Sequence, residues 1–349
     1  MKKIIIIIFL VTSTISAMSS IFDFKVDKRL FISYAFMNAA GNDGEWRKEG
    51  MSPIRIEVRK ILKERIDSTF LKVIQKYVYE DHLESWTNYG PYALINNGPP
   101  NFEIDINYEI SDLDSASVHR YDGLREYFIE FYRNYDIEEL WNQYQPIIQK
   151  ENLKYEPYSD KALLAITNYC RISKGYFLNK ASKIYFQQIP LMIYFTAQTV
   201  KVNGIIYIIT GPSDGEPSES IFYHEALHYP IGEIIGKYTE LINQYSALNS
   251  INNSNLGYSD WIEFFEECLV RTIDRRMEAK LFKKSKDDLI KSIYSEYKIG
   301  MLLCPYLNEE LEKYESNIIT LEEYFPELFK NLDINKEKER LNNFNKNGR

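Results

Sequence analysis

Two of the chain's four histidines stand four residues apart in the run His224-Glu225-Ala226-Leu227-His228. On a helix, residues four apart share a face, so both imidazoles can aim at one point. Glu225 is turned about 100° from His224 by the helical pitch. From there it reaches a water beside a metal without binding the metal itself. This is the H-E-x-x-H arrangement of zinc hydrolases, with His224 and His228 as ligands and Glu225 as general base. The competing reading is an ordinary helix that carries these residues by coincidence. Four histidines in 349 residues make that improbable. Ile221, Phe222 and Leu227 also mark the helix as mostly buried, where two histidines and a glutamate need partners.

Catalytic zinc takes three protein ligands and leaves one position for water, so a third ligand must come from elsewhere. Pro230 is expected to end or kink the motif helix, since it lacks an N–H. The offsets at which metzincins carry Gly and His hold Ile231 and Ile234, which excludes that subclass. The source is the helix Trp261 to Arg271, whose apolar face is Trp261, Phe264, Phe265, Cys268 and Thr272. Glu266 and Glu267 flank that face on opposite sides, and the pattern alone does not choose between them. Arg271, four residues after Glu267, is placed to hold the Glu267 carboxylate. A solvated acidic pair beside a routine helical salt bridge is the plainer alternative. Cys268 belongs to the apolar stripe and reads as packing. His82 and His119, in polar stretches, are the other formal candidates.

The composition bounds the rest. The chain begins Lys2-Lys3, then runs apolar from Ile4 to Val11 and small from Thr12 to Ala17. This reads as a signal peptide over residues 1–17, too short for a membrane span of about 20 residues. An exported protein, periplasmic or secreted, is therefore expected. The net charge of −8, more negative without Lys2 and Lys3, disfavours nucleic acid. Hydrophobic residues at 45%, with 28 Tyr and 19 Phe, suffice for a large core. The three cysteines, Cys170, Cys268 and Cys304, do not make a disulfide framework.

No linker or repeat divides residues 18–335, which read as one domain: a helical part over 18–150 and a zinc-site part over 151–335, followed by a charged, frayed tail over 336–349. Phe22 to Met37 alternates loosely, as a strand would. Ser52-Pro53 suits an N-cap and first helical position, opening one long amphipathic helix from Ile54 to Tyr77. Tyr89 to Asn101, with its glycines and prolines, reads as a loop. A second helical run covers Leu124 to Tyr144, and its Phe128, Phe131, Tyr132 and Tyr135 stripe serves packing rather than a ligand. Ile184 to Phe186, Leu191 to Val200 and Ile205 to Thr210 read as strands, with Asn203-Gly204 as a hairpin turn. Pro217, Ser218 and Glu219 open the motif helix. The fold class is therefore α+β: a small mixed sheet, then the H-E-x-x-H helix, then a mostly helical C-terminal part.

The run Tyr223 to Pro230, then Tyr258-Ser259-Asp260-Trp261, then Glu267-Cys268-Leu269-Val270-Arg271, resembles a bacterial family catalogued as domain of unknown function 4932. Its pattern is H-E-x-x-H with a nearby proline, then Y-x-x-W, then E-x-L-V-R. Thr320 to Phe329, with Tyr324-Phe325-Pro326, is similar to that family's C-terminal part. The resemblance covers roughly residues 185–330. It implies an exported zinc metallopeptidase of the gluzincin kind, with a zincin-like fold, and it places the third ligand on Glu267. Where the family has Asn before its proline, this chain has Tyr229.

The expected activity is zinc-assisted peptide hydrolysis with one Zn2+ per chain, Glu225 moving the proton from water to the leaving amine. The partner is then a peptide or protein substrate. Tyr258, Tyr229 and Arg271 are candidates to stabilise the oxyanion. The strand Ile205 to Thr210 is expected to receive an extended substrate by strand addition. The rival is a non-catalytic exported protein that keeps zinc for structure, marked by a fourth protein ligand.

Overall fold

The computed structural model describes residues 21–347 apart from 43, 46–47, 81–88, 106–107, 109–122, 174, 214–216, 218 and 252–259. The signal segment, His82, His119 and Tyr258 lie outside the described residues.

The architecture is α+β, with a four-stranded mixed sheet between two helical layers. The strands are β1 (Phe22–Asp23), β2 (Lys183–Gln188), β3 (Ala197–Val202) and β4 (Ile205–Thr210), in the order β1-β2-β4-β3. β1 and β4 run parallel to β2, while β3 is antiparallel to β4. Asn203 and Gly204 join β3 to β4, both at positive φ (50° and 72°), as the tight hairpin turn requires. β4 is paired on both edges, by β2 and by β3. Substrate cannot add to it, and that expectation is overturned. Among the described residues the free edge beside it belongs to β3.

Strand alternation divides the core. Ile184, Phe186, Ile206 and Ile208 face one cluster with the C-terminal helices; Val200, Val202, Tyr207 and Ile209 face the other with the N-terminal helices. The N-terminal layer holds α1 (Lys28–Ala40), α2 (Pro53–Arg65), α3 (Ser68–Glu80), α4 (Tyr89–Leu94), α5 (Leu124–Asn134) and α6 (Ile137–Leu153). α7 (Glu156–Cys170) and α8 (Tyr176–Lys180) lead into the sheet. Ser52 caps α2 and Pro53 follows it, as the sequence suggests. Phe128, Phe131 and Tyr135 are buried in this layer.

Local structure differs from the sequence reading in several places. Only Phe22–Asp23 of the first alternating stretch is strand; from Lys28 it is α1, opened by the Asp27 side chain accepting from the Arg29 N–H. The long helix after Ser52 breaks at Ile66, where the backbone is extended, and Asp67 accepts from the Thr69 and Phe70 N–H groups. The run Leu124 to Tyr144 likewise divides into α5 and α6. Tyr89 to Leu94 is a short buried helix rather than loop. The strand placed at Leu191 to Val200 begins only at Ala197.

The motif helix α9 (Ser220–Asn243) lies in the second layer and packs chiefly on α10 (Trp261–Leu281). Pro230 does not end it; the departure from helical backbone comes at Tyr238 (φ −116°, ψ 19°). An interior proline costs about 3 kcal/mol. Ile231, Ile234 and Ile235, all buried beyond it, each contribute about 1.5–3 kcal/mol, so packing wins. α11 (Lys286–Lys298), α12 (Cys304–Glu315), α13 (Leu321–Tyr324) and α14 (Glu327–Lys330) complete the layer. The charged tail is helical too: α15 (Ile334–Asn347) lays Leu341 and Phe344 on the core. No helix of the described residues is long and apolar enough to cross a membrane.

Candidate metal centre

α9 and α10 meet with their polar seams facing. His224 and His228 lie one turn apart on α9, ring centroids 5.1 Å apart. Glu267 comes across from α10, with Oε1 3.6 Å from His224 Nε2 and Oε2 3.5 Å from His228 Nε2. One ligand atom from each of the three lies within 4.8 Å of the others, a group that could hold a metal ion. Tetrahedral ligands at bond lengths near 2 Å stand about 3.3 Å from one another. The donor set, two imidazoles and a carboxylate, and its spacing both fit such an ion.

The two glutamates that the sequence pattern leaves open have different places. Glu267 is 5% exposed and converges on both histidines. Glu266 sits behind His228, its Oε1 2.8 Å from Nδ1. A proton on Nδ1 there leaves Nε2 as the lone pair toward the ion, as carboxylate-backed ligands arrange it. Arg271 Nε donates to Glu267 Oε1 at 2.5 Å, the pairing that the four-residue spacing suggests. Glu296 of α11 accepts from Arg271 Nη1 at 3.0 Å and from Arg275 at 2.9 and 2.7 Å. No sequence signal singles out Glu296, because its partners lie on another helix.

Glu225 is 3% exposed and sits beside the ligands, its Oε1 4.0 Å from His224 Nε2. Thr199 of β3 donates to its backbone carbonyl at 2.8 Å or its Oε2 at 3.1 Å. Burial pushes the Glu225 carboxyl up to about 7; the Glu267 charge adds to this, while His228 and the Thr199 hydroxyl oppose it. Burial drives His224 down to about 3. It acts the same way on His228, but the Glu266 bond and the Glu267 and Glu225 charges prevail and lift it to about 9. Burial would raise Glu267 too, yet the His224, Arg271 and His228 charges hold it at about 2.

The remaining candidates are placed elsewhere. Cys268 points into the core, with Sγ 3.8 Å from Met301 Sδ, and all three cysteines are free and buried. Arg271 is engaged by Glu267 and Glu296. Tyr229 O–H donates to the Lys180 carbonyl at 3.3 Å and accepts from Lys201 at 3.0 Å. Thr199 and Lys201 escape a search for ligand types, though the polar members of the alternating run Thr199-Val200-Lys201-Val202 do signal a face turned away from an apolar core.

No protein-family model, curated protein or solved structure matches the chain.

Proposed function

We propose that this chain is an exported zinc-dependent peptidase with a zincin-like fold of the gluzincin kind. The observation that carries the reading is the position of Glu225: a buried carboxylate beside the His224, His228 and Glu267 set but outside it. A site that held an ion only for structure has no use for a base there.

His224, His228 and Glu267 would hold the zinc, and Arg271 and Glu266 would fix the orientation of Glu267 and His228. Bound zinc would supply Lewis-acid polarisation of a peptide carbonyl and acidify a water. Glu225 would act as the general base, taking a proton from the attacking water and delivering it to the leaving amine. Its raised affinity for protons, a consequence of burial, suits it to both halves of the transfer. Thr199 ties Glu225 to β3, whose outer edge is unpaired among the described residues and would offer an extended peptide backbone hydrogen bonds.

The test is cleavage of a mixed peptide library by the zinc-loaded protein beside Glu225→Gln. Cleavage by the parent and its loss in the variant, with zinc retained in both, supports the reading. A parent that binds zinc and cleaves neither peptides nor esters would leave a binding protein instead.

A further inference from the structure

We propose that Lys201 is a specificity-determining residue that recognises a carboxylate on the substrate. The proposal rests on the peptidase reading and names a substrate class for it. Thr199 and Lys201 project from the same face of β3 onto α9, two residues apart. Thr199 meets Glu225, and Lys201 Nζ meets the hydroxyl of Tyr229 at 3.0 Å. Tyr229 follows Glu225 by four residues. The ammonium therefore meets a residue four positions along α9 from the base, about 6 Å of helical rise. Two strand residues span about 6.7 Å, which agrees.

Lys201 is partly exposed, and among the described residues no carboxylate pairs with it. Its neighbour is the Tyr229 phenol, with the ammonium 5.4 Å from the ring centroid. The O–H of Tyr229 is directed to the Lys180 carbonyl, which leaves its oxygen lone pair for Lys201 and holds the ammonium in place. The nearby cation Lys180 differs: its own ammonium is 3.3 Å from Glu233. In a chain of net charge −8, Lys201 is thus a positioned cation without a counter-charge among the described residues, beside the proposed reaction centre. An extended peptide advances about 3.3 Å per residue. A peptide whose scissile carbonyl lies at the His224–His228–Glu267 centre therefore brings to Lys201 a carboxylate carried one or two residues away. That carboxylate is either an acidic side chain or the free C-terminus.

The test measures binding of fluorescent peptides to zinc-loaded Glu225→Gln, where binding is read without turnover. One peptide pair differs by Glu against Gln at each successive position, and a second by a free C-terminus against an amide. The expected result is about tenfold tighter binding of the carboxylate member in one of the pairs, the effect of one charge-assisted hydrogen bond. The pair that discriminates identifies the source. Adding Lys201→Met should abolish the preference, and adding Lys201→Arg should keep it, which separates recognition from a folding defect. Equal binding of the pairs, a preference that survives Lys201→Met, or no binding at all overturns the proposal. Cleavage by the parent protein is scored separately. Cleavage without carboxylate preference removes only the role of Lys201, and a Lys201-dependent preference without cleavage removes only the peptidase reading.

Discussion

His228 Nδ1 lies 2.8 Å from Glu266 Oε1, so the imidazole whose Nε2 faces Glu267 is held from behind by the residue next to it. Consecutive glutamates on α10 thereby divide two tasks: Glu267 converges on both histidines, and Glu266 fixes the ring and tautomer of one. Glu266→Ala should keep the metal site but weaken zinc affinity about 10- to 100-fold, the usual effect of removing such a partner. Competition with a chelator of known affinity measures this directly. Affinity equal to the parent's would show that the Glu266 contact is incidental.

Glu225→Gln keeps the size of the side chain and removes the base. Zinc content should be unchanged, and peptide cleavage should fall by about 10²–10⁴, the range for loss of a general base. Steady-state kinetics beside metal analysis checks both halves. Loss of zinc in this variant would instead make Glu225 a ligand.

Thr199→Val preserves shape while deleting the hydroxyl that donates to Glu225. Burial has already lifted the Glu225 carboxyl to about 7, and Thr199 works against that rise. The variant should need a higher pH to free the base. The acid limb of its pH–rate profile should move up, with rates recovering at alkaline pH. An unmoved limb would mean that Thr199 has no electrostatic part in the site.

How much of this was legible in the sequence follows from the range of each interaction. His224 and His228 share one helix, so their four-residue spacing exposes their common face, with Glu225 one step round from it. The Arg271 partnership with Glu267 is equally local, and both pairs are realised. Choosing Glu267 over Glu266 depends on how α10 is rotated against α9, which no spacing on α10 contains. The strand order is likewise non-local: Ile205 to Thr210 has the apolar run of a strand, but nothing in it says that β2 crosses over to pair its second edge. Pro230 misleads for an energetic reason, because the burial of Ile231, Ile234 and Ile235 outweighs the missing donor. Helix breaks at Ile66 and around Tyr135 fall where the apolar period continues unbroken, so periodicity passes over them.

Asp274 gives a pH signature in stability that is separate from the metal chemistry. It is 4% exposed on α10, and its Oδ1 lacks a hydrogen-bond partner among the described residues. Burial raises its carboxyl from 3.8 to about 7; Glu278 and Glu296 add to this, and Arg275 and Arg271 oppose it. The folded state therefore holds this proton where the unfolded chain has released it. Its contribution is full below about pH 4 and is lost as pH rises to about 7. The loss is at most about 4 kcal/mol. Asp274→Asn should flatten that decline in chemical denaturation between these pH values. The same slope in parent and variant would contradict the assignment.

If His224, His228 and Glu267 form one metal site, zinc per chain reads it out, measured by elemental analysis after equilibration with zinc and removal of the excess. Close to one zinc is expected in the parent, retained in Glu225→Gln and lost in His228→Ala and Glu267→Ala, with each variant shown to be folded by circular dichroism. No zinc in the folded parent, or one zinc kept by folded Glu267→Ala, would contradict it.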